Sequence, residues 1–375
     1  MSNNCCLKKL LFCDNSLYDL LNFRGDVIGH FAEKGFDIVI VAPQTCQFSS
    51  ERRNVKYIPV RMNKSGTNPI CDLEYFITLC KIFYREKPDI VFNYTIKPNI
   101  YGALAARLTG RKCVDMVAGL GYMFAGNNII KILGRMLYKI GLRSAHKVLL
   151  LNSSNLDKLT REKFISPRRA VLLKGGEGVN FVRFPYAENL FETTRFLMVA
   201  RVLYDKGYSE YVEAASVVKQ HYPDIEFGLL GPIDENSPMA VPREVIENDV
   251  KKGKICYYGV TNDVPSYLTR DGVVVVIVSS YKEGLNRSLM EACSMGRPCI
   301  TTDIPGCRET VEDGVNGYLV PIKNAEALSK AMLKFIALSK TEKIAMAKAS
   351  YRLAKERFDV NDVIKIYENI INEIM

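Results

Sequence analysis

The 375-residue chain has no apolar run long enough to cross a bilayer. Its longest, VVVVIV (Val273–Val278) and DIVIVAP (Asp37–Pro43), are strand-length. Its start, MSNNCCLKKLLFC, carries no apolar segment of signal-peptide length. Together these absences lead to the expectation of a protein made and kept in the cytoplasm. No C-x-x-C pair occurs among the eleven cysteines, and the three histidines, His30, His146 and His221, lie far apart. A local zinc signature is therefore absent. The odd, scattered cysteine set reads as free thiols in a reducing compartment. No low-complexity tract and no repeat of tens of residues is visible, which sets repeat architectures aside.

What is present is the composition of a globular protein: 48% hydrophobic, 25% charged, mean hydropathy −0.02. The length exceeds the usual size of one hydrophobic core, so two domains are expected. The net charge of +10 is unevenly spread. Up to residue 185 there are 28 lysines and arginines against 14 acids; the remainder has 23 against 27. The basic half is expected to meet something anionic, whether phosphates, nucleic acid or a membrane surface.

Strand-like runs alternate with amphipathic stretches, the pattern of a parallel α/β sheet. KLLFC, DIVIVAP, KPDIVFNYT and KCVDMVAG read as strands, with helices over 18–34 and 72–86 and a short one in NIYGALAARLTG. Residues 179–194 break the pattern, and it restarts with RFLMVA, IEFGLLGP, KICYYG, VVVVIVSS, RPCITTD and GYLVP. Two Rossmann-like domains facing a cleft follow, with boundaries at 1–185 and 186–359. Residues 360–375 form an amphipathic helix expected to pack toward the first domain.

In such sheets ligands bind beyond the carboxyl ends of the strands. Three loops there carry polar residues. RVLYDKG places Arg201 and Lys206 five positions apart, a spacing that lets two cations converge on a diphosphate. A solvated basic loop is the alternative. YKEGLNRSLMEACSMG holds Glu283 and Glu291 on either side of a helix start, with Gly284, Leu285 and Asn286 between them. Backbone N–H groups at that start can bind an anion. Glu283 would then face hydroxyls and Glu291 a vicinal diol such as a ribose; two ordinary surface acids are the other reading. YYGVTNDV could present Val260, Asn262 and Asp263 to a base.

These segments, with IPGCRETVEDGVNGYLV, resemble the donor domain of the family 4 glycosyltransferases of GT-B fold, whose E-x7-E pair falls on Glu283 and Glu291. YTIKPNIYGALAARLTG, VAGLGYMF and KGGEGVN are similar to a bacterial subgroup that builds capsule, O-antigen and lipid-linked glycans. The resemblance implies a retaining transfer of a sugar, an N-acetylhexosamine first, from a UDP-sugar to a polyprenyl-diphosphate-linked acceptor. Arg201 and Lys206 would hold the diphosphate, Glu283 the donor sugar, Glu291 the ribose, and Gly284 to Asn286 the phosphate. No cofactor and no metal are expected. Many relatives place a histidine near the reacting centre; the corresponding DMVAGLGYMF has none.

On the acceptor side Gly119, Gly121 and Tyr122 could shape the wall, Lys97 could meet an acceptor phosphate, and Glu177 could contact the donor. A turn, a solvated lysine and a structural acid are the alternatives. NNIIKILGRMLYKIGLRSAHK repeats Lys131, Arg135, Lys139 and Arg143 at every fourth position opposite Ile129, Ile132, Leu133, Met136, Leu137 and Ile140. It reads either as a core-packed helix with a solvated basic face or as a helix lying on anionic lipid. The second reading expects a peripheral protein on the inner face of the cytoplasmic membrane. A sugar-nucleotide epimerase on this fold and a non-catalytic sugar-nucleotide scaffold are the competing functions. Nucleic acid is not expected as a partner, because no recognition motif or aromatic-interleaved basic patch is present.

Overall fold

A computed structural model describes residues 8–50, 52–64, 66, 68–120, 124, 129–235, 237–280 and 284–375. The chain divides into two compact units, Met1–Glu177 with Val360–Met375, and Gly178–Asp359. Each is a parallel sheet wound by helices.

In the first unit the order is β1 (Lys9–Cys13), α1 (Leu17–Glu33), β2 (Asp37–Ala42), β3 (Val55–Pro59), α2 (Pro69–Glu86), β4 (Ile90–Tyr94), α3 (Ala103–Leu108), β5 (Lys112–Val117), α4 (Ile129–Ser144), β6 (Lys147–Leu150), α5 (Ser153–Arg161) and β7 (Ala170–Leu172). The strands lie in the order β3-β2-β1-β4-β5-β6-β7. Local chemistry sets the helix ends. Ser16 caps α1 by accepting from Asp19 N, and Asn68 caps α2 with Pro69 in its first position, where a missing N–H costs nothing. The helix expected to start near residue 98 opens instead as a π-helical turn, Pro98–Gly102, before α3.

α2, α3 and α4 cover one face of this sheet through Tyr75, Leu79, Phe83, Ala103, Ala106, Tyr138 and Leu142. A Cβ on Gly141 would sit 2.5 Å from the Asn99 carbonyl oxygen, so α4 rests directly on the backbone of the π-helical turn. The α4 stripe of Ile129, Ile132, Leu133, Met136, Leu137 and Ile140 faces solvent. The buried face is a third one, made of Tyr138, Gly141 and Leu142. The core-packed alternative is therefore corrected: the helix is anchored, but its aliphatic stripe is not what anchors it.

The second unit runs β8 (Arg195–Val199), α6 (Tyr208–His221), β9 (Glu226–Leu230), α7 (Arg243–Lys251), β10 (Cys256–Gly259), α8 (Val264–Leu268), β11 (Val273–Ile277), α9 (Arg287–Ser294), β12 (Cys299–Thr302), β13 (Gly317–Val320), α10 (Ala325–Ala337) and α11 (Lys340–Arg357). Its strand order is β10-β9-β8-β11-β12-β13, again all parallel. β11 is buried throughout, as a central strand covered on both faces must be.

The division falls after Glu177, not after 185. Val179 donates to the Phe358 carbonyl at 2.6 Å, and Ser294 Oγ to the Phe184 carbonyl at 3.2 Å. The aromatics that broke the pattern explain the rest: Phe181 and Tyr186 both pack against Tyr351 of α11, with ring centroids 6.1 and 4.8 Å away.

The last helix, α12 (Val360–Ile374), belongs to the first unit. Tyr367 contacts Phe92 with centroids 5.3 Å apart, and its hydroxyl lies 3.1 Å from that of Tyr94. Glu368 pairs with His30 and Lys34 of α1. Among the described residues no helix is long and apolar enough to cross a membrane.

Candidate active site

The second unit brings two of the three polar loops together at the carboxyl ends of β8 and β11. After β8 the chain makes a 3-10 turn, Tyr204–Lys206, and then a left-handed Gly207 at φ +91°. A Cβ on Gly207 would lie 2.6 Å from the Val278 carbonyl oxygen, so only glycine lets this turn press onto the end of β11. The Asp205 carbonyl accepts from Ser280 N at 2.8 Å and from Ser279 Oγ at 3.2 Å. The turn that carries the half-buried Lys206 is thereby fixed against Ser279 and Ser280, just past the end of β11.

Arg201 stands exposed on the same loop and donates from Nη1 to Asp234 Oδ2 at 2.7 Å. Its backbone is held on both sides, by Ala200 N to the Leu230 carbonyl at 3.0 Å and Val202 N to the Pro232 carbonyl at 2.9 Å. An exposed arginine with one carboxylate partner retains donors of its five-donor fork for a ligand.

Residues 281–283, and with them Glu283, lie outside the described residues, as do Gly121 and Tyr122. The loop is described again from Gly284, which is buried like Leu285 and Asn286. Asn286 caps α9, its Oδ1 accepting from Leu289 N at 3.1 Å, and its own N–H donates to the Gly306 carbonyl at 2.7 Å. The N–H groups of Arg287 and Ser288 in the first turn have no carbonyl within the helix to donate to, and the helix dipole adds positive potential there.

Glu291 is 7% exposed. Arg287 Nε donates to its Oε1 at 2.8 Å, and the same guanidinium donates to the Gly178 carbonyl. Burial raises the Glu291 carboxyl above its ordinary range, while Arg287 opposes that rise. Arg287 is the residue that the sequence reading passed over. Its signal was present in the i,i+4 spacing to Glu291.

The third loop divides its candidates. Val260 and Asn262 are exposed, whereas Asp263 accepts from Ser266 N at 3.3 Å and so caps α8. That carboxylate oxygen serves the helix start.

In the first unit the candidates have partners of their own. Lys97 pairs with Asp72, whose other oxygen accepts from the Tyr101 hydroxyl at 2.9 Å, so its charge is already compensated. Glu177 pairs with Arg24, a buried arginine stacked 4.6 Å over the Tyr94 ring and 3.5 Å from Asp14. Burial pushes the Asp14 carboxyl up to about 6 against the pull of Arg24. Gly119 is half-buried in the loop after β5. On α4, Lys139 Nζ donates to the Glu162 carbonyl at 3.0 Å and Arg143 Nη2 to the Lys163 carbonyl at 2.8 Å. Lys131 and Arg135, both half-buried, lie in the first half of the same helix among its exposed aliphatic residues.

The comparisons with known proteins accord with this geometry. The profile of glycosyl transferases group 1 matches residues 187–352, within the second unit, and that of the glycosyl transferase 4-like family matches residues 10–153. The chain is a GT-B glycosyltransferase of the group 1 and 4-like families. It is 26% identical over 96% of its length, and 95% of the relative's, to the N,N'-diacetylbacillosaminyl-diphospho-undecaprenol alpha-1,3-N-acetylgalactosaminyltransferase of Campylobacter jejuni. It is 25% identical, over 71% of this chain and 70% of the relative, to the Escherichia coli UDP-Gal:alpha-D-GlcNAc-diphosphoundecaprenol alpha-1,3-galactosyltransferase. Among solved structures, Anabaena HepE in complex with UDP-glucose superposes with a TM-score of 0.76 at 16% identity, covering 97% of this glycosyltransferase and 99% of that chain. That last likeness bears on the fold alone.

Proposed function

We propose that this glycosyltransferase moves an N-acetylhexosamine, with retention of anomeric configuration, from a UDP-sugar to a polyprenyl-diphosphate-linked glycan at an anionic membrane surface. The observation that carries the donor half is the clasp between the Asp205 carbonyl and Ser279 and Ser280, which holds the Lys206 turn beside the loop entering α9. A cation and a helix N-terminus side by side suit a nucleotide diphosphate. The sugar-nucleotide and undecaprenyl-diphosphate substrates in the names of the relatives support the same choice.

In the proposed reaction the bond between the sugar's anomeric carbon and the β-phosphate oxygen breaks. The acceptor hydroxyl oxygen bonds to that carbon on the same face, and its proton passes to the departing phosphate oxygen. Negative charge grows on the diphosphate, so groups that meet it lower the barrier. Lys206 and Arg201 supply fixed positive charge there, and the first-turn N–H groups of Arg287 and Ser288 supply dipoles. Glu291, buried and oriented by Arg287, is assigned to the ribose hydroxyls, and Glu283 to hydroxyls of the transferred sugar. No second pair of carboxylates flanking the bond is needed for such a same-face displacement, in contrast to glycoside hydrolysis.

The acceptor half rests on α4, whose aliphatic stripe lies open to solvent beside Lys131 and Arg135. A helix of that kind suits the boundary between headgroups and acyl chains. The test is transfer by purified protein from a panel of UDP- and GDP-sugars to short polyprenyl-diphosphate sugars, with EDTA present. Transfer from one UDP-N-acetylhexosamine supports the reading. Nucleotide binding with no transfer to any acceptor supports the scaffold alternative, and absence of nucleotide binding overturns the site.

A further inference from the structure

α2 carries a second exposed aliphatic stripe that no motif pointed to. Ile70, Leu73 and Ile77 recur at helical spacing and are between 43% and 68% exposed. On α4, Ile129, Leu133 and Met136 are between 54% and 68% exposed. The two helices lie in one layer with α3 between them, all packed on the same face of the first unit's sheet. Each follows a strand of a parallel sheet, so each begins at the carboxyl edge, where doubly wound folds take their ligands. Large aliphatic side chains repeated on two neighbouring helices are uncommon on a protein surface without a partner.

Charge says which partner. α2, α3 and α4 carry seven basic residues, among them Lys81, Arg107, Lys131 and Arg135. Their acids are Asp72, Glu74 and Glu86; Asp72 is paired with Lys97 and Glu86 with Lys56. Glu74 is the one exposed acid of the three helices. An aliphatic surface in a basic field with so little opposing charge fits an anionic bilayer rather than an acidic or neutral protein face.

We infer that α2 is a second lipid-contacting element, so that the first unit meets the anionic bilayer through α2 and α4 together. The inference rests on the reading of α4 as a lipid-facing helix. Two attachment points fix the orientation of a body on a surface, which one helix, free to roll about its axis, does not.

The chain has no tryptophan, so a single introduced indole reports its own surroundings. The full-length variants Leu73→Trp, Met136→Trp and, as a control on α7 of the other unit, Val250→Trp are mixed with phosphatidylcholine vesicles with and without 30 mol% phosphatidylglycerol, roughly the regime in which basic segments bind. The expected result is a blue-shifted emission and protection from acrylamide for Leu73→Trp and Met136→Trp with anionic vesicles. High salt should weaken both changes, and Val250→Trp should show neither. A shift confined to Met136→Trp overturns the role of α2 and leaves α4 as the lipid-facing helix. A shift confined to Leu73→Trp, or in neither variant, overturns the reading of α4 and this inference with it. A Leu73→Trp shift that appears without vesicles and grows with protein concentration overturns the inference in favour of self-association through α2.

Discussion

Arg287 donates from Nε to Oε1 of Glu291 at 2.8 Å, one turn further along α9, and both side chains are close to fully buried. The pair makes the carboxylate tolerable inside the second unit and fixes its direction. Removing one member of a buried pair leaves an uncompensated charge and costs about 3–5 kcal/mol. Arg287→Ala is therefore expected to lower unfolding free energy by an amount of that order, read from denaturant titration. The double variant Arg287→Leu/Glu291→Gln should regain much of the stability and bind UDP no better than Arg287→Ala. Recovery of UDP affinity in the double variant would remove Glu291 from the ribose.

In the proposed site Lys206, on the turn whose Asp205 carbonyl is held by Ser279 and Ser280, meets the diphosphate. Loss of one preorganised charge at a developing anion costs roughly 100- to 1,000-fold in turnover. Lys206→Ala should show that fall in kcat with an unchanged melting temperature. Glu283→Gln should show a loss of similar order. Lys97→Ala, which removes a cation already paired with Asp72, should leave nucleotide affinity as it was.

Asp14 brings a pH dependence. Its folded pKa is raised from 3.8 to about 6, so between those values the folded state holds a proton that the unfolded chain has released. The resulting stability is complete below pH 3.8 and disappears as pH rises through 6. Asp14→Asn, which has no such proton to lose, should lose on the order of 2–3 kcal/mol less than the parent chain between about pH 4 and 7. Denaturant unfolding at several pH values, parent against variant, checks it. A constant difference across the window would contradict the burial of that carboxyl.

Gly207→Ala places a methyl group against the Val278 carbonyl at a φ that L-residues rarely adopt. Strain of this kind costs about 1–3 kcal/mol. The Lys206 turn should move away from β11, lowering kcat/KM while the second unit stays folded. An Ala variant with parental kinetics would show that the turn's contact with β11 is irrelevant to the site.

Much of this was legible beforehand, for a specific reason. A strand such as VVVVIV can be apolar on both faces only if helices cover both, so the doubly wound architecture is written into its composition. The glycine at 207 likewise announces the strand-to-helix turn that carries Lys206 from β8 into α6. Periodicity failed where it could not say which face turns inward. On α4 it separates a basic from an aliphatic side, yet the helix packs on Tyr138, Gly141 and Leu142, because Gly141 alone lets it touch the π-helical turn at Asn99. The partners of Glu177 and Lys97 were hidden for another reason. Arg24 and Asp72 are distant in sequence, and only the folded sheet brings them near.

Helix α12, from Val360 onward, completes a unit whose other residues all lie at or before Glu177. Until α12 has left the ribosome, Phe92 and Tyr94 lack their cover from Tyr367. Residues 178–359, by contrast, form one contiguous compact unit, all of it synthesised by then. Synthesis thus runs against the order of closure: the part made second is the first that can finish folding. A fragment ending at residue 177 should be recovered as aggregate, and a fragment of 178–359 as a folded monomer.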